Sequence, residues 1–268
     1  MNVLIDPVAR PVIGHRGNRA YAPENTIESF AQAVALGADA IEFDVRLSAD
    51  GIPVVHHDPT LTRTTDGIGE IARTDFVKLK DLDAGHNFTR DGGKTFPYRG
   101  AGHRIPTLEE VVEAFPSTPL LIEIKDALAA PLVREIIERH KAEWRCLVDA
   151  MNDLAVRRFQ DSKIAWGAAQ SDVVSLMKQV LLRRPVTSMP YNALCIPLSY
   201  NGLPLPVRRF AKAARPLGRQ VHVWTVNDPA VALGLWKDGI NGIISDDPAL
   251  MLKTRASLPT VELLQSSF

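Results

Sequence analysis

Short apolar runs alternate with amphipathic stretches along nearly the whole chain, and this alternation restricts the fold more than any other feature of the sequence. Strands that alternate with helices are typical of a parallel sheet. Eight such units in a chain of 268 residues predict an α/β fold, a (β/α)8 TIM barrel, with a doubly wound sheet as the alternative. The predicted strands are 11–14, 40–46, 120–125, 146–150, 164–168, 193–197, 220–226 and 242–245.

The connection after the second strand departs from a regular barrel. Its turn, 48–51, is too short for a parallel crossover, so residues 52–56 are predicted to run back antiparallel as a hairpin. The next segment, 58–106, is long, rich in Gly, Thr and Asp, and weakly periodic. Such a segment is typical of an insertion over one mouth of a barrel. We therefore expect a single domain over 1–268 with an insertion subdomain at about 58–106.

Capping patterns indicate where two helices begin. Asn25 is the predicted N-cap of the first helix, with Glu28 at the capping-box position and Gly37 after its last turn. Thr107 and Glu110 repeat the capping-box pattern before the next apolar stretch.

Charge and cysteine content exclude several classes of protein. The 31 basic and 31 acidic residues give no net charge, which argues against a nucleic-acid partner. Cys146 and Cys195 lie far apart, which excludes a disulfide scaffold and a zinc ribbon. The first ten residues lack the apolar stretch of a signal peptide, so we expect a cytoplasmic protein. The sequence leaves the oligomeric state open.

The segment 185–207 carries no charge, and it is interrupted by five prolines. A spanning helix would lose several backbone hydrogen bonds there, so no transmembrane segment is predicted. We expect one strand followed by an apolar loop. The part of that loop at 198–205 would either form an apolar lip at the mouth or pack against the insertion.

Acidic residues alternate with apolar ones on two neighbouring strands. On the second strand this alternation turns Glu42 and Asp44 into the barrel, and on the third it turns Glu123 and Lys125 inward. Buried carboxylates need a cation or hydrogen bonds to compensate their charge. The residues are consistent with an oxygen-rich site for Mg²⁺ or Ca²⁺, and equally with a polar layer in which Lys125 pairs with a carboxylate.

Two histidines are predicted to meet at one mouth. His15 directly follows the first strand, where barrels carry catalytic groups, and His57 ends the hairpin that returns there. Two imidazoles beside a cation and Arg16 would form an acid/base pair for an anionic substrate. Arg16 suits phosphate oxygens, with a surface ion pair as the alternative. His222 and Trp224 alternate inward on the seventh strand, either as packed core or as a ligand platform.

Several segments occur together in a fixed order. They are His15-Arg16-Gly17, Pro23-Glu24-Asn25-Thr26, Glu42-Phe43-Asp44-Val45, 50–58, Glu123-Ile124-Lys125, Trp224-Thr225-Val226-Asn227 and Gly242-Ile243-Ile244-Ser245-Asp246. In this order the segments resemble the glycerophosphodiester phosphodiesterase family over nearly the whole chain. The resemblance implies the same barrel and the hydrolysis of a glycerophosphodiester to glycerol 3-phosphate and an alcohol.

The resemblance also implies a role for each residue that matches a family motif. The implied roles are an acid/base pair of His15 and His57, ligation of one divalent cation, Mg²⁺ or Ca²⁺, by Glu42, Asp44 and Glu123, phosphate binding by Arg16 and Lys125, and a pocket wall at Trp224.

Three other functions compete with this interpretation. A lysophospholipase D-like or phosphoinositide-type phosphodiesterase would keep much of the same centre, and its substrate would include a lysophospholipid. A metal-dependent amidohydrolase would carry His-x-His on the first strand, where this chain has His15-Arg16-Gly17. A non-catalytic phosphate-binding barrel would need neither the two histidines nor the three carboxylates.

Overall fold

The computed structural model describes residues 2–258. Its strands are β1 Val12–His15, β2 Ala40–Leu47, β3 Pro53–Val55, β4 Leu120–Ile124, β5 Cys146–Asp149, β6 Ala165–Trp166, β7 Ala193–Pro197, β8 Ser199–Tyr200, β9 Leu203–Pro204, β10 Gln220–Trp224 and β11 Gly242–Ser245. Its α-helices are α1 Ile27–Ala35, α2 Phe76–Leu79, α3 Leu108–Ala114, α4 Ala130–Arg139, α5 Asp153–Val156, α6 Gln170–Leu181, α7 Val207–Ala214, α8 Pro229–Lys237 and α9 Pro248–Ala256.

Eight parallel strands form the barrel, in the order β6-β5-β4-β2-β1-β11-β10-β7. The first strand pairs with both the second and the last, and a parallel bridge between Gly167 and Ala193 joins the two ends of this order. The predicted TIM barrel is therefore confirmed, and the doubly wound alternative is wrong because the sheet closes on itself. Each of the eight predicted strands overlaps one of these eight.

The outward faces of the strands pack against the surrounding helices. On β2 these outward residues are Ile41, Phe43 and Val45, all fully buried in the large apolar cluster. Phe30 of α1 lies on Phe43, with ring centroids 5.5 Å apart. This packing leaves the alternate residues of β2 to face the barrel interior.

One apolar layer fills the amino-terminal end of the barrel interior, which we call the bottom layer. The N-terminal segment contributes Leu4 to it. Each strand of the barrel except β10 contributes one residue: Ile13, Ala40, Leu121, Leu147, Ala165, Ala193 and Ile244. Since successive inward positions are two residues apart, the next inward residue on each strand lies at the carboxyl end, the mouth.

Helix α1 begins one residue later than predicted. Its N-cap is Thr26, whose side chain accepts a hydrogen bond from the Ser29 amide. The prediction of Asn25 as the cap is wrong, because Asn25 adopts a left-handed backbone (φ 59°) and its side chain bonds Asp44 instead. The predicted capping box of Thr107 at α3 is confirmed.

The hairpin strand β3, the insertion and the segment after β7 lie outside the eight-stranded order of the barrel. Strand β3 pairs antiparallel with β2, as the hairpin prediction requires. The segment 58–106 contains α2 and encloses a small apolar cluster of its own, which includes Val54 of β3. In 185–207 the strand β7 is followed by a short β8–β9 hairpin rather than by a loop. Among residues 2–258 no helix combines the length and the apolar character needed to cross a membrane.

Candidate active site

A cavity of about 220 Å³ opens at the mouth of the barrel. Its walls include seven of the eight predicted site residues, namely His15, Arg16, Glu42, His57, Glu123, Lys125 and Trp224. The eighth, Asp44, is only 1% exposed and contacts Arg16 and Lys125. We call this space the catalytic cavity.

His15 is held by a carboxylate from the opposite end of the chain. Its Nδ1 lies 2.6 Å from Oδ1 of Asp246, which directly follows β11. Arg19 and Asn227 also donate hydrogen bonds to Asp246. Burial opposes ionisation of Asp246, but the hydrogen bond from His15 and the Arg19 charge lower its pKa to about 2. An ionised carboxylate can only accept, so Nδ1 carries the proton and Nε2 remains for the catalytic cavity.

His57 has a similar arrangement built from local residues. Its Nδ1 lies 2.6 Å from Oδ1 of the adjacent Asp58, and Arg63 donates to the other oxygen of that carboxylate at 2.5 Å. Burial lowers the pKa of His57, although Asp44 and Asp58 act in the opposite direction. Asp58 therefore holds the Nδ1 side of the His57 ring, and Nε2 remains for the catalytic cavity.

Arg16 is buried, so the alternative of a surface ion pair is wrong. Its backbone is left-handed (φ 52°), and its amide donates to Glu42 Oε2 at 3.0 Å. Its guanidinium lies 2.7 Å from Glu24 and 3.2 Å from Asp44. Burial opposes its charge, but Asp44 and Glu24 raise the pKa of Arg16. The guanidinium is thus oriented by two carboxylates at the edge of the catalytic cavity.

Lys125 lies between two of the predicted metal ligands. Its Nζ is 3.0 Å from Asp44 Oδ1 and 2.6 Å from Glu123 Oε1. The other oxygen of Asp44 accepts a hydrogen bond of 2.9 Å from Asn25 Nδ2. Despite burial, the charges of Lys125 and Arg16 lower the pKa of Asp44. The polar layer and the cation site, which the sequence left as alternatives, thus involve the same residues.

The three carboxylates fit a hard divalent cation. One oxygen from each of Glu42, Asp44 and Glu123 lies within 4.8 Å of the other two. Oxygens that bind one ion at roughly 2.4 Å are at most about 4.8 Å apart, so a shared ion is compatible with these positions. Burial and the charges of Asp44 and Glu123 raise the pKa of Glu42 well above its usual value. An all-oxygen donor set of three carboxylates suits Mg²⁺ or Ca²⁺.

The two inward residues of β10 lie in different environments. His222 is fully buried near the bottom layer, where its Nε2 donates to the Leu4 carbonyl at 2.8 Å. Burial lowers its pKa to about 4. Trp224, two residues further along, is half-buried and lines the catalytic cavity. Of the two alternatives for these positions, packed core describes His222 and a cavity wall describes Trp224.

Sequence reasoning missed four residues of this site. Asp58, Asp246 and Asn25 lie within the segments that carry the family resemblance, but no role in the site was predicted for them. Asp149 lies beside Glu123 on the neighbouring strand β5, and it also lines the catalytic cavity. Burial and the Glu123 charge raise the pKa of Asp149 well above its usual value. Strand alternation on 146–150 was the available signal, because Leu147 and Asp149 share one face.

The loop predicted at 198–205 contributes to a neighbouring cavity. Tyr200 and Leu205 line it, while Leu198 and Leu205 pack against the large apolar cluster. The expectation that this loop packs against the insertion is wrong, because these contacts are with the body of the barrel. Leu203 is largely exposed at the tip of the β8–β9 hairpin.

Sequence comparison identifies one family over most of the chain. Residues 15–250 match the profile of the glycerophosphoryl diester phosphodiesterase family. A glycerophosphodiester phosphodiesterase from Caldanaerobacter subterraneus is 34% identical over 250 residues, which cover 90% of this chain and 96% of the relative.

Solved structures are similar over the same span. A phosphodiesterase from Oleispira antarctica, solved in complex with the product sn-glycerol-3-phosphate, has a TM-score of 0.74 and 30% sequence identity, covering 93% of this chain and 98% of that chain. A glycerophosphoryl diester phosphodiesterase domain from Mycobacterium tuberculosis has a TM-score of 0.81 over 93% of this chain and 100% of that chain. Its 22% identity supports the fold alone.

Proposed function

The chain belongs to the glycerophosphoryl diester phosphodiesterase family and is an enzyme of this class, and on that premise we propose the reaction and the residues that perform it. The reaction is metal-dependent hydrolysis of a glycerophosphodiester to glycerol 3-phosphate and an alcohol such as choline or ethanolamine. Catalysis is by two histidines acting as acid and base. The observation that carries this proposal is the pairing of His15 and His57, each held at Nδ1 by a carboxylate, on one cavity.

Glu42, Asp44 and Glu123 would hold the cation, Mg²⁺ or Ca²⁺, which when bound neutralises charge on the non-bridging phosphate oxygens. Lys125 and Arg16 are positioned beside the same carboxylates and add positive charge at the edge of the cavity. Charge that is fixed in place before the reaction stabilises the transition state without reorganisation at the moment of bond cleavage.

The two histidines divide the proton transfers. The glycerol 2-hydroxyl attacks phosphorus, and one imidazole takes the hydroxyl proton at its Nε2. The other begins as an imidazolium and donates its Nε2 proton to the oxygen of the departing alcohol as the P–O bond breaks. The resulting cyclic phosphate is opened by water with the two roles reversed, which returns both imidazoles to their starting protonation. Asp246 and Asp58 keep the Nδ1 protons in place throughout.

We also propose that 58–106 is an insertion within a single domain. This interpretation is supported by its apolar cluster, because that cluster includes Val54 of the β3 strand and is therefore continuous with the barrel hairpin.

The test is turnover of glycerophosphocholine by the purified enzyme with Mg²⁺, with Ca²⁺ and after chelation by EDTA. Release of glycerol 3-phosphate is followed with a coupled glycerol-3-phosphate dehydrogenase. We expect release that depends on one of the two cations and stops on chelation. Activity that survives chelation, with no metal bound to the protein, would exclude the metal site. Lysophosphatidylcholine is assayed in parallel with glycerophosphocholine, and its turnover would support the lysophospholipase D-like alternative.

A further inference from the structure

The charge of this neutral chain is unevenly distributed along its length. Residues 173–227 include eight Lys and Arg and no Asp or Glu. Because the whole chain has 31 basic and 31 acidic residues, the remainder has eight more acidic than basic side chains. The segment contains most of α6, the β8–β9 hairpin and α7, and α6 packs beside α7 on one side of the barrel. That side of the molecule is therefore strongly cationic.

Helix α7 presents positive charge on one face. Its apolar residues are buried against the barrel, and Arg208, Arg209 and Lys212 are exposed. Helix residues three and four positions apart are neighbours, so these three cations share one face and repel each other. Arg208 pairs with Asp238 at 2.9 Å, but within residues 2–258 Arg209 and Lys212 form no ion pair. This face of α7 therefore favours a partner with negative charge.

An apolar tip lies next to this helix face. On the β8–β9 hairpin Leu203 is 71% exposed and Tyr200 is 41% exposed. Leu205 and Pro206 join the hairpin to α7, and they line a groove of about 960 Å³ together with the α7 cations. Cations beside exposed aliphatic and aromatic side chains are typical of surfaces that bind at a membrane interface. A nucleic acid would contact the cations but would leave Leu203 in water.

We propose that the exposed face of α7 and the β8–β9 hairpin form a docking surface for membranes that contain anionic phospholipids. The cations would lie among the lipid phosphates, and Leu203 would enter the boundary between headgroups and acyl chains. The hairpin follows β7 at the mouth, where Tyr200 lines the cavity that adjoins the catalytic cavity. Docking would therefore hold the mouth of the barrel close to the bilayer.

The test is flotation of the purified enzyme with vesicles of phosphatidylcholine alone and with vesicles of equal parts phosphatidylcholine and phosphatidylglycerol. We expect binding to the anionic vesicles alone. Salt should weaken it, because the Debye length falls from about 10 Å at 0.1 M to about 3 Å at 1 M. Equal binding to both kinds of vesicle, or binding to neither, would overturn the proposal.

Charge reversal tests whether α7 provides the surface. Arg209→Glu combined with Lys212→Glu should lower the partition coefficient at least about 25-fold, because each basic residue near an anionic bilayer contributes about fivefold. The matched control is Lys78→Glu combined with Lys80→Glu, at two exposed positions of the insertion. The insertion follows the β2–β3 hairpin, and β2 lies opposite β7 in the closed barrel. The control has the same net charge as the α7 variant and should bind as wild type. Equal losses in both variants would mean that net charge alone drives binding, and the docking surface would be wrong.

Replacement of the hairpin leucine tests whether the partner is a bilayer. We expect Leu203→Ser to lower the partition coefficient about tenfold, because less apolar surface leaves water, and to leave binding to soluble heparin unchanged. Ile68→Ser, at an exposed position of the insertion, should change neither value. Wild-type vesicle binding by Leu203→Ser would mean that α7 binds polyanions in general, which would contradict a membrane surface. These assays need neither metal nor diester, so their outcome is independent of the proposed function.

Discussion

The bottom layer and the mouth of the barrel occupy successive inward positions on the same strands, yet their chemistry is opposite. On β1, β2, β4 and β5 the bottom-layer residues are apolar, and the next inward residue is His15, Glu42, Glu123 or Asp149. The same strands carry both layers, and the closed barrel brings these four polar side chains together at its mouth. On each of these strands a residue of the bottom layer and a residue of the candidate active site are therefore only two positions apart.

Strand β10 shows the same contrast with two large rings. His222 is fully buried, donates to the Leu4 carbonyl and is neutral. Trp224 borders two cavities. Residue type alone would assign the chemistry to the histidine and the packing to the tryptophan, whereas their depth in the barrel reverses this assignment. Substitutions in the two layers should accordingly affect different measurements.

The largest expected effect is at the mouth. His15→Ala and His57→Ala should each lower kcat by about 10²–10⁴-fold, since a general acid or base contributes that much. The double variant should lose less than the product of the single losses, because the two groups act as a unit. Cation content should stay normal in all three.

The control for the histidine variants is His86→Ala, in the insertion, which should retain wild-type kcat. If His57→Ala kept most of its activity with unchanged circular dichroism, the hairpin histidine would be structural and the two-histidine mechanism would fail.

In the bottom layer the expected effect is on stability. Leu147→Ala should lower the free energy of unfolding by about 2–5 kcal/mol, because it removes a fully buried side chain from a closed interior. In urea titrations Leu128→Ala, which is 82% exposed, should stay within about 0.5 kcal/mol of wild type. The folded fraction of Leu147→Ala should keep its kcat. A fall in kcat comparable to that of His15→Ala would show that the layers are not separable.

The barrel and much of its mouth could be predicted from sequence because both follow from local periodicity. Alternation on β2 and β4 is enough to turn Glu42, Asp44, Glu123 and Lys125 inward. The position of His15 at a strand end is equally local. These features need only the period of a strand and the rule that sites lie at the carboxyl ends of barrel strands.

What escaped prediction depends on contacts between distant residues or on competition between neighbours. His15 and Asp246 are 231 positions apart, and barrel closure alone brings them together. Asn25 and Thr26 are both good N-cap types, and the pairing of Asn25 with Asp44 decides between them.

An intermediate effect on kcat is expected for the carboxylates that bind Nδ1 of the two histidines, Asp246 and Asp58. Asp246→Asn and Asp58→Asn should lower kcat by about 10–100-fold, because an amide no longer fixes the Nδ1 proton of its histidine. The matched control is Asp247→Asn, since Asp247 caps α9 and Asn caps a helix equally well. Wild-type kcat in Asp246→Asn would mean that the orientation of His15 is set by packing instead.

The smallest expected effect is a pH dependence of stability that comes from His222. Its pKa is about 4 in the folded protein, below the ordinary value of 6.5, because burial opposes its charge. The unfolded chain therefore binds this proton more readily, so the contribution of His222 to stability is complete above pH 6.5 and is lost as pH falls towards 4. Between pH 7 and pH 5.5 the loss is about 1 kcal/mol. His222→Gln keeps a donor for Leu4 but does not titrate. Between pH 7 and pH 5.5 the variant should therefore gain about 1 kcal/mol in unfolding free energy relative to wild type. A difference that is constant over this range would mean that water reaches His222, and that the bottom layer is not closed in the way its packing indicates.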